Sequence, residues 1–375
     1  MKKVVIVGSG FGGIDTALRI REENEDLQIT VVDKKSHFTY QVGLHELVSK
    51  KIRAKSIRIN LAKLYRKHNI KFYREEAVEV DPLEKSVTTM SRKLGFDYLV
   101  IAVGGTTNYF SIPGAKANSF GLKTVKEALG IRTELKKQLD RAKYYNHPIN
   151  IVVVGGGLTG IETAAEIKDY TKKKANVILL EALPDIMKGF NKETRAYCDK
   201  ILKKKGIDIN TSCCVEKVEH GKIYLEDDKP IDANLLVWCA GIKANPVTNN
   251  MGLKTNDKGS ILINNYLQTN HPDIYAVGDC SYMYQNPQPM TALIAIMESK
   301  TVVHNILADI NKEEKIVFKK EDYPYLISLG RGRGVLLQDN KVKKGLLPAI
   351  MKKLLRKNYV FSHRHWVWPF NKLEG

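Results

Sequence analysis

Two stretches of this 375-residue chain carry one strand, glycine and helix pattern: VVIVGSGFGGIDT at residues 4–16 and VVVGGGLTGIE at residues 152–162. In the first, Gly8, Gly10 and Gly13 fit G-x-G-x-x-G after an apolar strand, and in the second Gly155, Gly157 and Gly160 do. The first glycine of such a cradle permits a tight turn, the second lets a pyrophosphate approach the backbone, and the third lets helix and strand pack closely. The helix then offers phosphate its free N–H groups and positive dipole end. Glycine turns also join strands to helices without a ligand, so the pattern alone decides little. Here each copy is followed by a second apolar strand that ends in an acid, LQITVVDKK at Asp33 and ANVILLEA at Glu181, 25 and 26 residues beyond the first glycine. That spacing suits a βαβ unit whose acid meets a ribose diol. Two cradles with two acids imply two adenine dinucleotides.

A third element, TNHPDIYAVGDCS at residues 269–281, distinguishes the cradles. It resembles the late strand that closes the FAD domain of two-dinucleotide flavoproteins, and the resemblance implies that Asp279 reaches the flavin's ribityl and pyrophosphate region. The N-terminal cradle is thereby assigned to FAD and the inner one to a nicotinamide nucleotide. The fold expected is α/β, with two Rossmann-like dinucleotide-binding domains, the FAD domain interrupted by the NAD domain, and a C-terminal membrane-interface region. The expected boundaries are 1–110 and 266–310 for the FAD domain, 111–147 for a connection, 148–265 for the NAD domain and 311–375 for the C-terminal part. YLVIAVGGTTNYFSIPG (98–114) reads as a return strand and hinge with Gly104 and Gly105 near the flavin pyrophosphate. NLLVWCAGIKANP (234–246) would close the NAD domain, with Gly241 allowing approach to the nicotinamide half.

Composition agrees. Hydrophobic residues make up 43% of the chain, ordinary for α/β cores, and no apolar run approaches the roughly 18 residues of a membrane span. An apolar strand beginning by residue 3 leaves no room for a cleavable signal, so the expected place is the cytoplasmic face of a membrane, without crossing it.

HFTYQVGLHELVSKKI (37–52), TTNYFSIPGAKANSFGLKTVKEALGIRTEL (106–135) and both cradles together resemble the type II NADH dehydrogenases, single-subunit flavoenzymes that reduce quinone. The resemblance covers residues 1 to about 310 well and the remainder more loosely, and much of it is shared with sulfide:quinone oxidoreductases. It implies FAD, NADH and a quinone as reactants, with no metal and no proton pumping. The five cysteines, Cys198, Cys213, Cys214, Cys239 and Cys280, include no C-x-x-C pair and none precedes residue 198. Disulfide reductases of this superfamily need a redox cysteine beside the flavin early in the chain, and sulfide:quinone enzymes need cysteines at slots that are not cysteine here. A thiol mechanism is therefore not expected, and the odd count argues against a disulfide framework.

Hydride transfer between stacked rings needs position and electrostatics from the protein more than reactive side chains. Glu162, on the first turn of the second cradle's helix, is the expected catalytic side chain: the resemblance places it near the nicotinamide and flavin. The alternative is a carboxylate favoured there by the helix dipole. Glu181 would accept bonds from ribose hydroxyls and repel a 2′-phosphate, favouring NADH over NADPH. For the quinone, the family's A-Q-x-A-x-x-Q segment matches PMTALIAIMESK (289–300): Ala292 and Ala295 agree, Leu293 and Glu298 stand at the glutamine positions, and Ile296 lies between them. TALIAIM also reads as a plain core helix.

The net charge of +19 raises nucleic acid as a partner, but residues 341–375 hold nine Lys or Arg against one acid and no nucleic-acid motif accompanies them. Tyr359, Phe361, Trp366, Trp368 and Phe370 cluster in the same tail, which suits a lipid interface better. On a helical wheel Leu346, Leu347, Ile350, Met351, Leu354 and Leu355 fill one half, and Lys352, Lys353, Arg356 and Lys357 most of the other. The expectation is a tail lying on a membrane with its cations on anionic headgroups, the alternatives being packing on its own FAD domain or on a second copy in a homodimer. The expected activity is FAD-dependent NADH:quinone oxidoreduction. A soluble NADH-dependent flavin reductase or diaphorase ranks second, a sulfide:quinone oxidoreductase-like enzyme third and a nucleic-acid-associated flavoprotein last.

Overall fold

The computed structural model describes residues 1–145, 147–226 and 229–365. Trp366, Trp368 and Phe370 of the aromatic tail lie outside the described residues. The chain divides into two compact units, one made of residues 1–38, 59–106 and 242–321, the other of 39–58, 107–241 and 322–375.

The first unit is built on a five-stranded parallel sheet in the order Ile274–Ala276, Tyr98–Ile101, Lys3–Val7, Gln28–Val32, Lys71–Tyr73. Val4, Val5, Ile6 and Val7 are all buried, as expected of a central parallel strand covered on both faces. The helices Phe11–Glu23 and Ala292–Asn311 pack on one another in this unit.

The second unit repeats the device with four parallel strands in the order Ile207–Asn210, Ala175–Leu180, Ile149–Val154, Leu235–Trp238. The repeat reaches individual hydrogen bonds. Gly8 N–H donates to Val32 O and Gly155 N–H to Leu180 O; Ala102 N–H donates to Val7 O and Cys239 N–H to Val154 O; Asp33 N–H donates to Tyr73 O and Glu181 N–H to Asn210 O. Both βαβ units are therefore closed in the same register, and the α/β expectation is met in both.

The second unit also holds a three-stranded antiparallel sheet, Tyr325–Ser328, Gly334–Gln338 and Lys341–Gly345, with the helix Leu346–His365 packed upon it. Gly345, at φ +109°, ends the last strand, and Pro348 falls in the helix's first turn, where no N–H is needed. The helix corrects one expectation. Leu346, Leu347, Ile350, Met351, Leu354 and Leu355 are exposed, but Lys352 and Arg356 are 8% and 7% exposed. Those two cations sit on the face that packs inward and do not reach solvent. The wheel pattern was right about which residues share a face and silent about which face turns in, because buried carboxylates on other elements decide that.

Candidate active site

Each cradle places its glycines after the C-terminal end of the central strand, where open α/β sheets bind ligands. The first glycines need a conformation that other residues avoid, φ +103° at Gly8 and +106° at Gly155, and the third ones need space: a Cβ on Gly13 would strike Gly8 O, and one on Gly160 would strike Gly155 O. The middle glycines are different. A Cβ on Gly10 would meet nothing closer than Ala102 O at 3.9 Å, and one on Gly157 nothing within 4 Å. Their backbones are extended, at φ −78° and −75°, so no conformational demand explains them either. Neither helix N-cap is bridged by a side chain and neither first turn holds an acid, which leaves N–H donors suited to an anion. Open space over a bare helix N-terminus fits a pyrophosphate in both cradles.

The acids face their own cradles. Asp33 Oδ2 accepts Ser9 N–H at 2.6 Å and Oδ1 accepts Lys35 N–H at 2.8 Å. Glu181 Oε2 accepts Gly156 N–H at 2.5 Å and Oε1 accepts Leu183 N–H at 2.9 Å. Each carboxylate keeps lone pairs over for a diol. In the first unit Gly104, at φ +67° with nothing within 4 Å of a Cβ, and Gly105, where a Cβ would lie 3.0 Å from Asp279 Cβ, follow the strand Tyr98–Ile101, as Gly8 follows its neighbour Lys3–Val7. In the second unit Gly241 follows the strand Leu235–Trp238, and its small size is required by the Phe110 ring, 2.7 Å from where a Cβ would be.

The segment 289–300 forms the start of the helix Ala292–Asn311, capped by Thr291, whose Oγ1 accepts Ile294 N–H at 3.3 Å. Ala292, Leu293 and Ile296 are half-exposed while Ala295 and Glu298 are buried. Glu298 accepts Gly278 N–H at 2.6 Å, holding the turn that carries Asp279. Ser299, next along, donates to Asp15 of the first cradle's helix. Desolvation pushes the Glu298 carboxyl up to about 8. An acid raised in the folded state binds its proton more tightly there than in the unfolded chain, so it stabilises fully at low pH and the contribution is lost as pH rises. Stability is expected to fall between pH of about 5 and 8, and Glu298→Gln is expected to flatten that part of the profile in urea titrations at several pH values.

Glu162 is 4% exposed and its carboxylate is fully engaged within the second unit. Oε1 accepts Ser328 N–H at 2.7 Å and the Lys352 ammonium, and Oε2 lies 3.5 Å from His45 Nδ1. The helix dipole therefore does not account for this acid. One helical turn beyond Lys352, Arg356 Nη1 lies 2.9 Å from Glu46 Oε2, and both are buried. Burial pushes the Glu162 carboxyl up while Lys352 pulls it down. Burial, with Lys352, Lys51 and Arg356, holds His45 well below its ordinary value, which favours the neutral imidazole. His45, Glu46 and Ser328 were missed in the sequence, and Lys352 and Arg356 were assigned there to headgroups; no local signal joins them to Glu162, whose partners lie far along the chain.

A family model for pyridine nucleotide-disulphide oxidoreductases matches residues 2–299. The chain belongs to that family. Among relatives it is 31% identical to the mitochondrial external NADH-ubiquinone oxidoreductase 2 of Saccharomyces cerevisiae, over 75% of this chain but 58% of that one. It is 25% identical to the type II NADH:quinone oxidoreductase of Staphylococcus aureus, over 96% of both. Among solved structures, the sulfide:quinone oxidoreductase of Aquifex aeolicus aligns with a TM-score of 0.87 at 22% identity, covering 97% of this chain and 92% of that one. The NDH2 of Plasmodium falciparum, solved with NADH, aligns at 0.86 and 18%, covering 97% of both. These likenesses bear out the resemblance to type II NADH dehydrogenases and the two-cradle oxidoreductase fold.

Proposed function

We propose that the chain is an FAD-dependent NADH:quinone oxidoreductase that moves electrons without pumping protons. The observation that carries this is the pair of cradles with open middle glycines and acids turned onto their own cradles. FAD would lie on residues 1–110 and 266–310 and NADH on 148–265. A bound flavin would supply a hydride acceptor for NADH and a two-electron donor for quinone. The protein's part is to hold and orient. The N–H groups after Gly10 and Gly157 bind pyrophosphate, Asp33 and Glu181 bind ribose hydroxyls, and Asp279, on a turn fixed by Glu298, binds the ribityl side. Ala292, Leu293 and Ile296 offer a half-exposed apolar face for a flat quinone ring. Glu162, held by Lys352 and Ser328 N–H, is the acid proposed to act near the reacting rings, as a group that can share a proton with its ammonium partner.

The relatives' names support NADH and quinone as reactants, and the thiol alternatives find little support. Burial pushes Cys198 and Cys280 up to about 12, far from the low values of reactive thiolates. No helix among the described residues is long and apolar enough to cross a membrane. The exposed apolar face of the C-terminal helix supports a peripheral position with its apolar side chains in lipid.

Steady-state assays of purified protein with NADH, NADPH or sulfide as donor and a short-chain quinone as acceptor test the proposal. NADH is expected to reduce a bound yellow flavin and sulfide is not. Glu181→Ala is expected to narrow the preference for NADH over NADPH by about 1–3 kcal/mol, the scale of a hydrogen bond to a charged group. A colourless, folded protein that FAD does not reconstitute would remove the proposal's basis.

A further inference from the structure

The rotation of the C-terminal helix leaves a question of charge. Lys352 and Arg356 are spent on buried Glu162 and Glu46, so a lipid surface beside the exposed leucines must find other cations. Two stand on the turn GRGRG, residues 330–334, between the strands Tyr325–Ser328 and Gly334–Gln338. This turn is held in shape. Gly330 and Gly332 take φ +85° and +65°. Asp169, on the second cradle's helix, accepts Arg331 N–H at 2.5 Å together with the Lys205 ammonium. The tip abuts the apolar face, for a Cβ on Gly332 would lie 3.7 Å from Leu346 Cδ1. Arg331 and Arg333 are exposed, and among the described residues neither guanidinium meets a carboxylate.

We propose that the turn 330–334 clamps anionic phospholipid headgroups, Arg331 and Arg333 meeting phosphate oxygens while Leu346, Leu347, Ile350, Met351, Leu354 and Leu355 enter the acyl boundary. The inference rests on the membrane-docking reading above and adds the lipid class and the residues that select it. Charge complementarity chooses the occupant. From Tyr325 to His365 there are ten Lys or Arg and a single acid, Asp339, and Lys353 and Lys357 are exposed along the same helix. A second copy would bring the same cations to the same face, against its own net charge of +19, whereas an anionic bilayer neutralises them. Guanidinium forks also suit phosphate geometry better than ammonium groups do.

The test is sedimentation of the full-length protein with phosphatidylcholine vesicles, with and without phosphatidylglycerol, over a range of salt. Arg331→Gln/Arg333→Gln is expected to weaken partition onto the anionic vesicles about thirtyfold, by the usual contribution of surface arginines. It should also flatten the salt dependence, and leave partition onto neutral vesicles and NADH-to-dye turnover unchanged. Leu347→Glu/Leu354→Glu is expected to abolish binding to both vesicles. If the leucine variant loses binding but the arginine variant matches wild type on anionic vesicles, the clamp is wrong and membrane docking stands. If wild type ignores anionic vesicles at low salt, docking and clamp both fall. A dimer in analytical ultracentrifugation that Leu347→Glu/Leu354→Glu dissolves, without vesicle binding by wild type, assigns the face to a second copy instead.

Discussion

Gly157→Val is expected to give a folded, yellow protein whose flavin NADH reduces at least about a hundredfold less effectively, the scale of losing two charge-assisted hydrogen bonds. The expectation follows from where a side chain would go. At Gly157 a Cβ meets no protein atom within 4 Å on a backbone that any residue adopts, so the fold has room for a side chain there. The space it fills is the one a pyrophosphate would need to reach the N–H groups of the helix Leu158–Thr171. Gly10→Val in the first cradle is expected to be folded but colourless, for the same reason. Gly160→Val is the contrast: its side chain collides with Gly155 O, and loss of fold is expected. Thermal melts, flavin absorbance and anaerobic stopped-flow bleaching by NADH separate the three. Normal reduction of Gly157→Val by NADH would mean that the inner cradle does not hold the nucleotide.

The second large effect concerns the buried pair Glu162 and Lys352. Lys352→Met removes a cation from a carboxylate that is 4% exposed, and breaking a buried pair from one side costs about 3–5 kcal/mol. The acid can escape part of that cost by taking a proton. Its carboxyl is already pushed up by burial, and without Lys352 it rises further. The folded form of the variant then binds a proton that the unfolded chain releases, so its stability is lost as pH rises above the ordinary carboxylate range. Urea unfolding is expected to show a small deficit near pH 5 and the full one near pH 8. Glu162→Leu/Lys352→Met, which removes both charges, is expected to recover most of the loss. A deficit in Lys352→Met that is independent of pH would show that packing of the lysine stem, not its charge, holds the C-terminal helix.

The two βαβ units were legible in the sequence because their constraints are local. A strand, a turn that needs φ above +100° at Gly8 and Gly155, a close-packed third glycine and an acid at the next strand's end all fall within some 30 residues, the span of one βαβ unit. The segment 269–281 was legible too, though it joins its sheet from far along the chain, because an apolar strand ending in Gly-Asp is itself a local pattern. The wheel of the C-terminal helix likewise showed which residues share a face.

What sequence could not decide was which face turns inward, and what Glu162 and Glu298 touch. Lys352 and Arg356 read as cations for lipid headgroups until Glu162, 190 residues earlier, and Glu46 are placed opposite them. Glu298 read as part of a substrate surface until its carboxylate is seen on Gly278 N–H. Periodicity reports which side chains travel together along one element. Desolvation and charge pairing depend on what stands across from that element, and only the tertiary structure supplies it.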